Sequence, residues 1–138
     1  MKDTIDFKSL MAFANEARKN SYSPYSHYRV GAALLAESGK VYLGCNVENA
    51  SFGATCCAER TALFTAVAAG ERRFIALALV GGKDDLGDDG VFPCGICRQA
   101  LAEFCPSDMP IAVKYGDDYK IFTLSDVLPM AFTPKSLE

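Results

Sequence analysis

The chain has no lysine or arginine cluster of the kind that tracks a phosphate backbone. Its 17 acidic residues against 14 basic ones leave a net charge of −3. Nucleic-acid binding is therefore disfavoured. No apolar run approaches the length of a membrane span, so no membrane partner is expected, and Met1-Lys2-Asp3-Thr4-Ile5-Asp6 lacks the apolar core of an export signal. The expected location is the cytoplasm, where thiols stay reduced. Histidine occurs once, at His27, outside any motif, and reads as a loop residue rather than a ligand. Low-complexity tracts, clear repeats and long linkers are also missing, so residues 1–138 are expected to form a single domain. What is present is an ordinary globular balance, 50% hydrophobic and 22% charged, with six cysteines. In a reducing compartment those thiols read as metal ligands, catalytic groups or buried small side chains rather than disulfides.

Phe7, Leu10, Met11, Ala14 and Ala17 form a helical stripe, with Asp3 or Thr4 placed to cap it. Asn20 to His27 is a tyrosine-rich loop, suited either to covering the edge of the core or to holding a flat ring ligand. Tyr28 to Ala36 and Val41 to Cys45 read as a hairpin turning at Glu37-Ser38-Gly39-Lys40, with Gly31 permitting a close approach. The polar run Asn46-Val47-Glu48-Asn49 that follows fits a solvated turn or a site for a polyhydroxy ligand. A helix over about Cys56 to Ala69 has Thr55 as its expected N-cap, Leu63, Phe64 and Val67 on one face, and Gly70 at its C-terminus. Phe74 to Val80 suits a strand buried on both faces, and Gly81 to Gly90 a solvated loop. A third helix from near Pro93 to Phe104, strands at Ile111 to Tyr115 and Tyr119 to Phe122, and a turn of helix at Ser125 to Leu128 complete the order. Strand–helix–strand units in this order predict an α/β fold: a mixed sheet with helices on its faces.

The chemistry concentrates at two helix beginnings. Cys94-Gly95-Ile96-Cys97 lets one segment hold two corners of a zinc tetrahedron, and Cys57 would supply a third. Free amides and the helix dipole favour thiolate charge at these positions, and Arg60 and Arg98 are near enough in sequence to offset more of it. Glu59, two residues past Cys57, is badly spaced for a second ligand but well placed to move a proton. Three other readings fit the thiols. A fourth cysteine, Cys56 or Cys105, would close a structural zinc site; Cys94 and Cys97 would alternatively form a redox dithiol; or all the cysteines are packing residues. Cys45, Cys56 and Cys105 read as packing residues.

Asn46-Val47-Glu48-Asn49-Ala50, Cys57-Ala58-Glu59-Arg60-Thr61-Ala62 and Pro93-Cys94-Gly95-Ile96-Cys97-Arg98-Gln99 together resemble the small homotetrameric cytidine deaminases. Tyr25-Ser26, Val30 to Leu35 and Leu128-Pro129-Met130-Ala131-Phe132 extend the resemblance over nearly the whole chain. It implies a three-layer αβα fold with a mixed five-stranded sheet, helices on both faces, and zinc-dependent conversion of cytidine and 2′-deoxycytidine to uridine and 2′-deoxyuridine plus ammonia in pyrimidine salvage. By the same resemblance Cys57, Cys94 and Cys97 would bind one zinc ion per subunit, and Glu59 would carry the proton from water to the ring nitrogen and the departing amine. Arg60 would tune the charge of the thiolates. Asn46 and Glu48 would hold the ribose 3′-hydroxyl, and Tyr28, Ala58 and Phe132 would contact the nucleoside. Phe132 would do so from a neighbouring subunit of a homotetramer. Ile96 and Phe92 are larger than the family pattern, and both would reshape the pocket. Deaminases of polynucleotides carry histidine as first ligand and need a basic channel, neither of which is seen; a blasticidin S deaminase and a zinc-stabilised binding module are the remaining alternatives.

Overall fold

The computed structural model describes residues 5–84 and 90–138. Helix α1 (Phe7–Arg18) starts where Asp6 stops the chain in an extended conformation and accepts a hydrogen bond from the Ser9 N–H at 3.1 Å. The expected caps Asp3 and Thr4 lie outside the described residues. The hairpin of β1 (Tyr28–Ala36) and β2 (Val41–Cys45) follows as expected, with Gly39 taking the left-handed turn position at φ +93°. After α2 (Ala58–Ala68) come β3 (Phe74–Lys83), α3 (Gly95–Phe104), β4 (Pro110–Tyr115), β5 (Asp118–Thr123) and the short α4 (Leu124–Val127).

The sheet runs β2-β1-β3-β4-β5. Only β3 and β4 are parallel, joined through α3, which makes the sheet mixed as expected. Strand residues alternate between two cores. Ala33, Ala76, Ala78, Val80 and Ala112 face Leu10, Met11 and Ala14 of α1. Ala32, Leu34, Leu77, Leu79, Ile111 and Val113 face α2 and α3 through Ala62, Leu63, Ala66 and Leu101. Alanine predominates under α1, so that helix lies close to the sheet. At Gly31 a Cβ would fall inside contact distance of Ala14 O and 2.6 Å from Arg18 N, which is the close approach the glycine permits.

Three expectations are corrected. Phe64 does not join the packing face of α2 and is exposed, whereas the buried positions are Ala58, Glu59, Ala62, Leu63 and Ala66. The cause is proximity: at Gly44 of β2 a Cβ would collide with Ala58 O and Ala62 N and sit 2.5 Å from Thr61 Oγ1, so only small groups fit between helix and strand. Gly81 and Gly82 are not loop but the end of β3, paired with Val30 and Arg29. A side chain at Gly81 would meet Val91 Cγ2 at 2.7 Å, so glycine continues the strand where a larger residue would not. The rest of the expected loop, residues 85–89, lies outside the described residues. Thr55 does not cap α2; its hydroxyl accepts from the Asn49 N–H at 3.2 Å, and Cys57 takes the cap position.

Candidate metal and nucleoside site

Chain connectivity carries the polar run after β2 to the start of α2. Val47 forms one isolated bridge with Cys56 and another with Tyr22. These draw Asn46 and Glu48, the tyrosine-rich loop and the α2 N-terminus together. Cys57 is the cap residue of α2, and Cys94 is that of α3, with Cys97 in its first turn. Neither cap side chain bonds a helix amide, so the thiols stand over the free N–H groups of two helix ends.

The sulfur geometry passes a direct test of fit. A tetrahedral zinc with Zn–S bonds of about 2.3 Å places its sulfurs about 3.8 Å apart. Cys57 Sγ lies 3.7 Å from Cys94 Sγ, and Cys94 Sγ lies 3.5 Å from Cys97 Sγ. All three ligand atoms fall within 4.8 Å of one another. Among the described residues no fourth ligand joins them. Cys105 ends α3 at its far terminus, buried in the core, and Cys56 is half-buried, its backbone paired with Val47. The three thiols are therefore positioned to hold a metal ion, and three thiols are a donor set that suits zinc.

Electrostatics point the same way. The hydrogen bond with Cys97 brings Cys57 down to about 5, against burial and with help from Arg60 and Cys94. The bond with Cys57, together with burial, pushes Cys97 up. Their contact thus lowers one thiol and raises the other, and Arg60 favours charge on Cys57. Arg60 Nη2 sits 3.6 Å from Cys57 Sγ and 3.4 Å from Thr55 O, and its Nε is buried without a partner among the described residues. Burial works against the charge of Arg60, but the bonds to Cys57 and Cys97 outweigh it and raise the guanidinium pKa. Arg98, expected to share the work of Arg60, instead donates from Nε to Pro93 O and from Nη1 to Val127 O, each at 2.6 Å. It braces the metal loop against the end of α4.

Glu59 is 3% exposed, one of two buried polar side chains among the described residues. Burial pushes its carboxyl up to about 7, and the adjacent Cys57 charge adds to this, while Arg60 and a hydrogen bond with Cys97 oppose it. A buried carboxyl raised toward neutrality thus lies beside Cys97.

The other buried polar side chain is Asn46. Its Oδ1 accepts from the Val30 N–H at 3.0 Å and from Ser21 Oγ, and its Nδ2 donates to Tyr28 O at 2.7 Å. The amide is thus a bridge between β1 and the end of β2. Glu48 Oε1 accepts from the N–H groups of Tyr25 at 2.9 Å and Ser26 at 3.1 Å, and Oε2 accepts from Ser26 Oγ. Desolvation works against the Glu48 charge, but those bonds hold its carboxyl below the ordinary value. Tyr28 is half-buried against the core shared with α2. The Ala58 methyl is wholly buried, which leaves only its backbone to meet a ligand. Phe132 is exposed, its carbonyl accepting from Gln99 Nε2 at 2.8 Å. Ile96 is 65% exposed, and Phe92 packs edge-on against Phe122 at 5.0 Å. His27 is a loop residue, as expected, in the left-handed conformation at φ +57°. A groove of about 310 Å³ lined by Leu10, Phe13, Leu35 and Val41 lies on the α1 side of the sheet, opposite the thiols.

Sequence reasoning missed Ser21, Ser26 and Gln99 as partners of these groups. Their partners lie 25, 22 and 33 positions away, so no local spacing marks them.

Residues 5–113 match the family model of the cytidine and deoxycytidylate deaminase zinc-binding region. A cytidine deaminase of Sporosarcina psychrophila is 46% identical over 134 residues, covering 96% of this chain and 96% of that protein. A cytidine deaminase of Halalkalibacterium halodurans is 44% identical, covering 96% of this chain and 98% of that protein. The crystal structure of cytidine deaminase from Burkholderia pseudomallei superposes with a TM-score of 0.84 at 44% identity, covering 93% of this chain and 100% of that one. With the three-thiol centre, the mixed five-stranded sheet and these matches in agreement, the chain belongs to the cytidine and deoxycytidylate deaminase zinc-binding family.

Proposed function

We propose that this protein hydrolyses cytidine and 2′-deoxycytidine to uridine and 2′-deoxyuridine with release of ammonia, as in pyrimidine salvage. The observation that supports this reading most is the buried acid Glu59 set against three thiols at tetrahedral spacing. A structural zinc site has no use for such a group.

Cys57, Cys94 and Cys97 would hold a zinc ion, which would supply the Lewis acidity that makes a water nucleophilic near neutral pH. Glu59 takes the proton this water gives up, places it on ring N3, and delivers the next to the departing amine. C4 gains the oxygen as its bond to N4 breaks, so one water is consumed and one ammonia leaves. Arg60 offsets the excess thiolate charge, and burial of Glu59 keeps bulk water from competing for its proton. Asn46 and Glu48 hold the ribose 3′-hydroxyl, Tyr28 and the Ala58 backbone bound the nucleoside, and Phe132 closes over the base of a neighbouring subunit.

The last role requires a neighbouring subunit, as in a homotetramer. The exposure of Cys94 and Ile96 in the paired-cysteine segment, and of Phe132, supports it, because a lone chain leaves these side chains uncovered. Light scattering should then give about four times the chain mass of 14.9 kDa. Thiol ligands also need a reducing compartment, which favours the cytoplasm. The activity is tested by incubating zinc-loaded protein with cytidine, 2′-deoxycytidine, cytosine and blasticidin S while following the ultraviolet spectrum and free ammonia. Turnover of the two nucleosides is expected; turnover of blasticidin S alone, or of nothing, would overturn the reading.

A further inference from the structure

We propose that Ser26 is a positioning residue for substrate, which presents Glu48 with a single free lone pair for a single sugar hydroxyl. The proposal rests on the nucleoside reading above. An ionised carboxylate accepts about four hydrogen bonds. Three are filled by one short loop: Tyr25 N–H and Ser26 N–H on Oε1, and Ser26 Oγ on Oε2. The free position is therefore on Oε2, beside the serine hydroxyl.

The direction of that hydroxyl is fixed. Ser26 Oγ accepts the Tyr28 N–H at 3.0 Å, so its one hydrogen goes to Glu48. The geometry needs the chain to turn between Ser26 and Tyr28, and His27 does this in a backbone conformation rare for a residue with a Cβ, φ +57°. Its N–H donates to Ser23 O at 3.0 Å, and its carbonyl accepts from Asp84 N–H at 2.8 Å, which hold the turn. Ser26 is exposed and Glu48 half-buried, so the pair faces a ligand rather than the core. One hydroxyl thus orients the carboxylate that reads the sugar and pins the backbone of Tyr28, which bounds the ring.

With one position left, Glu48 reads one hydroxyl and not two. Through it, cytidine and 2′-deoxycytidine are equivalent, whereas a nucleoside lacking the 3′-hydroxyl is penalised. Removing the serine hydroxyl frees Oε2 to turn away or take up water, which erodes that discrimination. Tyr28 is held additionally by its place in β1 opposite Lys83, so ring contacts are affected less.

The test is Ser26→Ala, with kcat and KM measured on cytidine, 2′-deoxycytidine and 3′-deoxycytidine. The efficiency ratio of cytidine over 3′-deoxycytidine should fall about tenfold, the scale of a hydrogen bond to a charged group. The fall should come through KM with kcat nearly constant, 2′-deoxycytidine should track cytidine, and Ser26→Thr should restore the ratio. An unchanged ratio, including one in which all three substrates suffer equally, would overturn the role of Ser26. Wild-type protein inactive on all three would instead overturn the deaminase reading, so the two failures are distinct.

Discussion

Replacing Asn46 by alanine should damage folding as well as substrate binding, and by an amount the structure allows us to work out. The side chain is 9% exposed. It accepts from the Val30 N–H at 3.0 Å and donates to Tyr28 O at 2.7 Å, with Ser21 Oγ as a third partner. Alanine takes the side-chain partner from the first two backbone groups at the mouth of β1, and losing the partner of a buried group costs about 1–3 kcal/mol. Ser21 is half-buried, so its hydroxyl finds water and adds little. Partial hydration of the other two puts the expected loss at about 2–4 kcal/mol, a large part of a total of about 7–20 kcal/mol for a chain of this length. Urea unfolding of the zinc-loaded protein measures it, with Glu48→Ala as the control expected to lose under about 1 kcal/mol because its partners face solvent. Asn46→Asp should fare no better than alanine, since it retains the acceptor for Val30 but sets a carboxylate against Tyr28 O. An Asn46→Ala protein within about 0.5 kcal/mol of wild type, yet with raised KM, would refute the bridging role.

Arg60→Ala should lower kcat/KM more than it lowers the melting temperature, because the guanidinium faces Cys57 while the helix it sits on is held by Leu63 and its alanines; equal losses in kinetics and thermal melts would count against charge tuning. Gly44→Ala should destabilise by at least the 1–3 kcal/mol typical of overpacking, since the new methyl collides with α2 backbone rather than with a movable side chain; a thermal melt that does not shift would contradict the close approach. Removing the metal with a chelator should abolish turnover and lower the melting temperature, because metal ligation stabilises the folded state and three crowded thiols then remain; a melt indifferent to chelator would mean that the thiols bind nothing.

Legibility in the sequence followed the range of the interactions. Cys94 and Cys97 occupy one helical turn and Glu59 follows Cys57 by two positions, so local spacing exposed the chemistry before any fold was known. The hairpin and the doubly buried β3 were marked by turn residues and apolar runs. The hydrogen-bond network around Asn46 and Glu48 was opaque because it depends on two isolated bridges at Val47, which bring residues 22 and 56 together without any alternating pattern. Ser21 consequently looked like an ordinary loop polar, Ser26 carried resemblance without a partner, and the bridging bonds of Asn46 went unread. Phe64 misled for a related reason: the face of α2 is chosen by its nearness to Gly44, and that spacing is a tertiary fact which hydrophobicity does not reveal.

If three thiols hold the metal while Glu59 moves the proton, Glu59→Gln separates the two roles. Glutamine keeps the size and hydrogen-bonding capacity of the buried side chain but cannot exchange a proton. Zinc content and cytidine turnover should be measured on the same preparation. Zinc should be undiminished and kcat reduced about a thousandfold, within the range for loss of a general acid–base. Full zinc with wild-type turnover would contradict the assigned role, and loss of zinc would contradict the separation of Glu59 from the ligand set.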